Sequence, residues 1–253
     1  MSKSDGSPAP GHSPQGEPKL SRASVQRFSL YLRYLERWKQ ENLTIVSSSQ
    51  LGEALGINDA QVRKDLAYLG SLGQPGVGYY TQEVITALRQ RLGVDRTWLA
   101  VVIGVGNLAR ALLRYRGFTQ QGFQFVALFD ADPHKVGQTV EGLIVHHPDK
   151  LAEVLAATKA ELAVVAVPAE MAQGVADALV ATGIKGILNF APITLRLPAH
   201  VSLIAVDLAV QLEQLAFLVH LAKNACPRSK PERQRGVAKF LAGARARTGI
   251  NPP

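Results

Sequence analysis

The sequence predicts an α/β protein made of three parts in order: a small helical domain with a β wing, a parallel sheet covered by helices on both faces, and one further apolar helix. Three observations predict it. Residues 21–97 carry apolar side chains at helical spacing and then a glycine-rich turn; from Trp98 onward strand-like apolar runs alternate with helical stretches; and a Gly-X-Gly-X-X-Ala run follows the first of those strands.

Composition bounds the answer before any element is placed. At 253 residues, with 47% hydrophobic and 19% charged, the chain has room for one or two domains and a sizeable core, which excludes wholesale disorder and a fibrous protein. The single cysteine, Cys226, excludes an intramolecular disulfide framework and a thiolate-only metal site, and fits a reducing cytosol. No stretch approaches the roughly 18 apolar residues of a membrane span. The N-terminus lacks the apolar segment of an exported chain, so the expected location is cytoplasmic. The net charge of +8 implies a polyanion partner, but it is unevenly placed. Residues 21–98 contribute +3, residues 99–206 are neutral, and residues 207–253 contribute +5.

Residues 1–20 are rich in Pro, Gly and Ser and predict a disordered arm. Residues 25–41 predict an amphipathic helix with Phe28, Leu32 and Leu35 inward. A loop through 42–48 leads to a short helix over 50–55, stopped by Gly56. Asp59 is expected to N-cap a third helix over 60–69. The glycines from Gly70 to Gly78 then predict a turn-rich strand pair ending at Tyr80, and a helix over 82–92 closes the unit. The strands of the second part are expected at 99–103, 125–129, 162–167 and 186–190, with helices at 108–115, 148–157 and 170–181. A last helix over 207–223 carries Leu208, Leu212, Leu215, Leu218 and Val219 on more than one stripe. Residues 227–253 read as a basic tail.

Two motifs carry chemistry. In Gly104-Val105-Gly106-Asn107-Leu108-Ala109, Gly104 permits the strand-to-helix turn, Gly106 lets a pyrophosphate approach the backbone, and Ala109 lets the helix pack on the sheet. Asp130 ends the next strand near the spacing of a ribose acid, and no arginine follows it closely. The pattern therefore predicts a Rossmann-like domain binding NAD(H) in preference to NADP(H). The second motif is the helix pair 50–55 and 60–69, which reads as a helix-turn-helix with Gly73–Gly78 as the wing. Val62, Leu66 and Leu69 are expected inward; Gln61, Arg63, Lys64 and Tyr68 are expected outward toward a major groove. The histidines His134, His146 and His147 lack metal-ligand spacing, and no acid–base constellation of a dehydrogenase stands out.

Five collinear segments then resemble one family. They are Gln61-Val-Arg-Lys-Asp-Leu66, Gly76-Val-Gly-Tyr79, Gly104-Val-Gly106, Phe129-Asp-Ala-Asp-Pro-His-Lys-Val-Gly137 and Gly183-Ile-Lys-Gly-Ile-Leu-Asn-Phe-Ala-Pro192. Together, across about residues 22–222, they resemble the Rex family of redox-sensing transcriptional repressors. The resemblance implies a winged helix over 21–97, a Rossmann-like NAD(H) domain over 98–206, and a helix over 207–226 exchanged between the subunits of a homodimer. It implies a repressor and no enzyme, one that binds operator DNA when NADH is scarce and lets go when NADH, rather than NAD+, binds. By the same resemblance, Pro168-Ala169 and Asn189-Phe190-Ala191-Pro192 lie where the nicotinamide would sit, and Arg33, Tyr115 and Asp207 form a switch triad. Three positions depart from common family patterns: Ala109 stands where the family usually has a third glycine, Pro75 where it often has a wing arginine, and Leu208 where some members carry a phenylalanine beside the nicotinamide. A different class stays open, an NAD- or CoA-dependent enzyme with an appended helical domain, because residues 163–189 also resemble the CoA-binding fold.

Overall fold

A computed structural model describes residues 20–225. Most of the arm at 1–20, Cys226 and the tail at 227–253 lie outside the described residues.

The first domain opens with α1 (Arg22–Gln40). Ser21 caps it by accepting the Ser24 N–H at 3.1 Å. Phe28, Tyr31, Leu32 and Leu35 form its buried stripe. β1 (Ile45–Val46) follows, then α2 (Ser48–Leu55), which starts in a reciprocal capping box between Ser47 and Gln50. Gly56, at φ 65°, ends α2 in the left-handed conformation, as its sequence position predicts. α3 (Asp59–Ala67) begins one residue earlier than expected. Asn58 and not Asp59 is the cap; its side-chain oxygen accepts the Ala60 N–H at 2.8 Å. Asp59 is already helical, and its carboxylate turns to Arg63 one helical turn on.

β2 (Gly73–Gln74) and β3 (Gly78–Tyr80) form the wing. The expected strand pair is a three-stranded sheet, ordered β1-β3-β2, because Ile45 and Val46 pair antiparallel with β3. Gly78 is obligatory there: at φ 113°, a Cβ would stand 2.6 Å from the Val46 carbonyl oxygen. α4 (Thr81–Leu92) packs along α1, and Val84 and Leu88 join Phe28, Leu35, Leu51, Val62 and Leu66 in one core.

The second domain holds β4 (Trp98–Ile103), α5 (Asn107–Arg114), the one-turn α6 (Gly117–Gln120), β5 (Phe123–Phe129), β6 (Thr139–Val140), β7 (Leu143–His146), α7 (Leu151–Thr158), β8 (Leu162–Val165), α8 (Ala169–Ala181), β9 (Gly186–Asn189) and β10 (Ser202–Ala205). Seven strands lie in the order β10-β9-β8-β4-β5-β7-β6, all neighbours parallel except the β6–β7 hairpin. The six parallel strands have the 3-2-1-4-5-6 arrangement of dinucleotide-binding folds. β6, β7 and β10 are additions to the sequence reading: β6 and β10 form the two edges of the sheet, and β7 lies just inside β6. The side chains of β4 alternate between two cores: Val101 and Ile103 meet Phe129, Val165 and Leu179 on one face, and Val102 meets Val105, Ala109 and Leu128 on the other.

A pinned linker joins the domains. The Trp98 indole N–H donates to the Gly93 carbonyl at 2.7 Å, and the Arg96 guanidinium lies 3.8 Å over the Trp98 ring while forking onto Glu161. α9 (Leu208–Ala225) leaves the far end of the sheet with its apolar side chains exposed, Leu212 to 67%.

Candidate nucleotide site and DNA-facing surface

The strand order reverses direction between β4 and β8, and ligands of open parallel sheets bind in the crevice at the carboxyl end of that switch. Gly104 sits there at φ 91°. A Cβ on it would stand 2.5 Å from the Ala166 carbonyl oxygen and 2.9 Å from the Val167 side chain, so only glycine fits. Gly106 differs: nothing lies within 4 Å of where its Cβ would be, and space opens in front of the loop. Gly106 caps α5 with no side-chain hydrogen bond, so the first N–H groups of the helix face that space with the positive end of its dipole. Val105 and Ala109 are buried anchors; Asn107 and Leu108 form the exposed rim.

Asp130 lies under the loop. Its Oδ2 accepts the Val105 N–H at 2.8 Å and the Lys135 ammonium at 3.0 Å, and its Oδ1 accepts the Asp132 N–H at 2.9 Å. Burial pushes this carboxyl up, but the Asp132 N–H, Lys135 and the Val105 N–H together outweigh burial and hold it below the ordinary carboxylate range. The residue expected to meet a ribose therefore also braces the Gly104–Gly106 loop. The sequence offers no motif for its partner Lys135, which stands five residues on across the Pro133 turn.

Registers bring the other expected residues level with Gly104. Ile103 faces Val165 across the β4–β8 pair, and Val165 faces Asn189 across β8–β9. Pro168 and Ala169 begin α8, and Phe190, Ala191 and Pro192 follow β9, all on one edge. Asn189 is fully buried, and its amide is taken up by its own loop: Nδ2 donates to the Ala191 and Ile193 carbonyls, and Oδ1 accepts the Ala191 N–H. Asn189 shapes the edge through backbone, with no side-chain donor left over. Leu208 is exposed at the start of α9.

On the first domain, Arg63 and Lys64 are exposed on α3 and Tyr68 is exposed at its C-cap, as expected. Arg63 is held by Asp59 at 2.6 Å and by the Ser48 hydroxyl at 3.2 Å, and it lines a groove of about 710 Å³ between α3 and the wing. Gln61 is a correction: it is half-buried and donates to Asp65 at 2.8 Å instead of pointing outward. The cause is Asp65, which is 1% exposed inside the helical core. Its carboxylate takes a two-pronged grip from Arg27, the Tyr31 hydroxyl at 2.8 Å and Gln61. Burial raises this carboxyl, and those donors outweigh burial and lower it. Burial, with the Asp65 charge beside it, also raises the Tyr31 hydroxyl.

Of the switch residues, Arg33 and Tyr115 line one cleft of about 940 Å³ between the domains. Asp207 is not among its lining residues. Asp207 caps α9 by accepting the Ala209 and Val210 N–H groups at 2.9 and 3.2 Å, so the expected triad is not assembled within one chain.

A winged helix coupled to a dinucleotide-binding sheet defines a class of ligand-sensing DNA-binding proteins. Comparison with known proteins narrows the class. Residues 95–193 match the family model "CoA binding domain", and residues 19–67 match "Putative DNA-binding protein N-terminus". The chain is 46% identical over 199 residues to the redox-sensing transcriptional repressor Rex of Carboxydothermus hydrogenoformans, covering 79% of this chain and 96% of that one. It is 47% identical over 211 residues to Rex of Rhodopirellula baltica, covering 83% and 89%. Among solved structures it is similar to the Rex-family repressor RSP in complex with NAD+ and operator DNA, with a TM-score of 0.77, 32% identity, and coverage of 89% of this chain and 98% of that one. RSP in complex with NADH gives 0.74 at 32% identity, covering 82% and 99%. The chain belongs to the Rex family of redox-sensing transcriptional repressors.

Proposed function

We propose that this protein is a cytoplasmic transcriptional repressor that reads the NADH/NAD+ ratio: a homodimer that holds palindromic operator DNA and releases it when NADH binds. One observation carries the reading. A single chain joins an exposed Arg63–Lys64–Tyr68 helix face to an open Gly104–Gly106 loop with Asp130 braced beneath it. The loop and α5 receive the pyrophosphate, and Asp130 receives the adenosine ribose.

NADH and NAD+ share both of those groups, so discrimination arises at the nicotinamide. Pro168, Ala169, Phe190 and Ala191 make that edge apolar, and an apolar edge disfavours the charged oxidised ring through its desolvation. A ligand moves an equilibrium only by its differential affinity for the two states, and full reversal from 99:1 to 1:99 takes about 5.5 kcal/mol. Closure of two such edges around reduced rings would move the paired winged helices off their half-sites, with Arg33, Tyr115 and a partner's Asp207 relaying the change. The enzyme reading needs an acid–base group beside the ring, and the edge residues named here offer none, Asn189 being held by its own loop.

The test is a titration of a fluorescent duplex, recovered by in-vitro selection on this protein, with NADH and NAD+ separately. Release by NADH at concentrations where NAD+ leaves the complex intact is expected. Equal release by both, or steady consumption of NADH with a keto acid, would sink the reading.

A further inference from the structure

The two domains touch through a polar contact that belongs to neither the phosphate loop nor the switch triad. Gln121 of the second domain donates from Nε2 to Glu36 Oε2 on α1 at 3.0 Å. The other Glu36 oxygen is gripped by Arg89 of α4, whose Nε stands at 3.0 Å, and Arg89 also reaches the linker at the Val94 carbonyl. The carboxylate is thus fixed within the winged helix by one oxygen and offers the other across the cleft. Glu36 is half-buried, where such bonds are less screened than on an open surface.

Gln121 is equally fixed on its own side. It ends α6, and its N–H donates to the Gly117 and Phe118 carbonyls at 3.1 Å. Tyr115 and Phe118 stack edge to face at 5.2 Å, and Phe118 stacks on Phe125 of β5 at 5.6 Å. The Tyr115 ring lies so close over Gly117 that a Cβ there would stand 2.4 Å from it. Residues 115–121 are therefore one packed block at the C-terminal end of α5, whose N-terminal end is the phosphate loop. An eight-residue helix is a lever about 12 Å long. A tilt of α5 on its cofactor must move this block, and Gln121 is where the block holds the winged helix.

Resting on the reading above, we propose that Gln121 is a positioning residue for the redox response: its bond to Glu36 transmits cofactor binding from α5 to α1. The experiment uses full-length protein with Gln121→Leu, which removes the donor at similar size, and Gln121→Glu, which sets two carboxylates face to face. NADH affinity alone, affinity for the selected duplex alone, and duplex affinity in saturating NADH are measured, with thermal midpoints as a check on folding. Both variants should bind NADH and the duplex separately, each within a few-fold of wild type. The factor by which NADH weakens duplex binding should fall about fivefold or more. A merely structural contact would shift the midpoint or both affinities and leave that factor alone. Wild-type coupling in both variants overturns the proposal. Wild-type protein whose duplex binding ignores NADH overturns instead the functional reading on which it rests.

Discussion

At the scale of single residues, two aspartates show how one carboxylate can serve structure and site together. Asp130→Ala removes the proposed ribose acceptor, and it also strands the Val105 N–H and the Lys135 ammonium. NADH binding should weaken and discrimination against NADPH should relax, with a stability loss of about 1–3 kcal/mol from the unmade bonds; unaltered NADH and NADPH affinities in calorimetry would place the ribose elsewhere. Asp65 predicts a pH response. Its donors hold the folded carboxyl below its ordinary value near 4, so below that value the unfolded chain takes up the proton first. The stability Asp65 contributes is full above about pH 4 and drains away as pH falls through the lower folded value. Acid titration of the thermal midpoint should show this loss, and Asp65→Asn should flatten it at a cost of about 3 kcal/mol near neutrality, since Arg27 loses its charge partner. An acid slope unchanged by Asp65→Asn would assign the loss to other groups.

At the scale of elements, the recognition helix separates two kinds of cation. Arg63 is anchored through Nη1 by Asp59 and Ser48, which leaves its Nε and Nη2 for a base edge. Lys64 has no ion-pair partner among the described residues and suits a phosphate. Arg63→Ala should cost about 1–3 kcal/mol on the selected duplex and relax its sequence preference. Lys64→Ala should weaken all duplexes alike and reduce the salt slope by about one. Salt-dependent binding curves that showed the reverse assignment would overturn it. Much of this element-level picture was legible in sequence, because glycines leave unambiguous marks: Gly56 stops α2, and Gly104 and Gly106 announce the turn before α5. Other parts left no such mark. β6 and β10 are short edge strands whose pairing is decided by tertiary neighbours, and a two-residue strand has no periodicity to read. Asn58 and Asp59 are both good caps, and the choice depends on Arg63 drawing Asp59 into the helix. Nothing in the sequence around Asp65 marks it as buried; only the approach of Arg27 and Tyr31 from α1, more than thirty residues away, makes it a core residue. The helical spacing places Gln61 outward for the same reason, since its partner Asp65 is buried only in the folded chain.

At the scale of the whole molecule, α9 carries a prediction about assembly. Leu208, Leu212, Leu215 and Val219 lie along one side of the helix, and Val210, Phe217 and Leu221 along the opposite side, all exposed in the single chain. A surface helix with one neighbour needs one apolar stripe; two opposite stripes need two neighbours. The full chain should therefore sediment as a dimer, and a chain ending before Asp207, or one carrying Leu215→Asp with Phe217→Asp, should not; a stable truncated dimer would refute the role given to α9. The same helix constrains what a substitution at its cap can reveal. Asp207 caps α9 through two N–H groups, so Asp207→Ala removes the cap, at about 1 kcal/mol, along with the charge. Loss of the redox response in that variant would not separate a switch from a frayed helix. Asp207→Ser keeps a capping oxygen and deletes only the charge that would meet Arg33 of a partner. If Asp207 relays the cofactor signal, the serine variant should dimerise and bind NADH as wild type does, yet need about tenfold more NADH to release the selected duplex, a shift of about 1.4 kcal/mol. Release at the wild-type NADH concentration would leave Asp207 as a helix cap and confine the relay to the cleft where Arg33, Tyr115 and the Glu36–Gln121 contact lie.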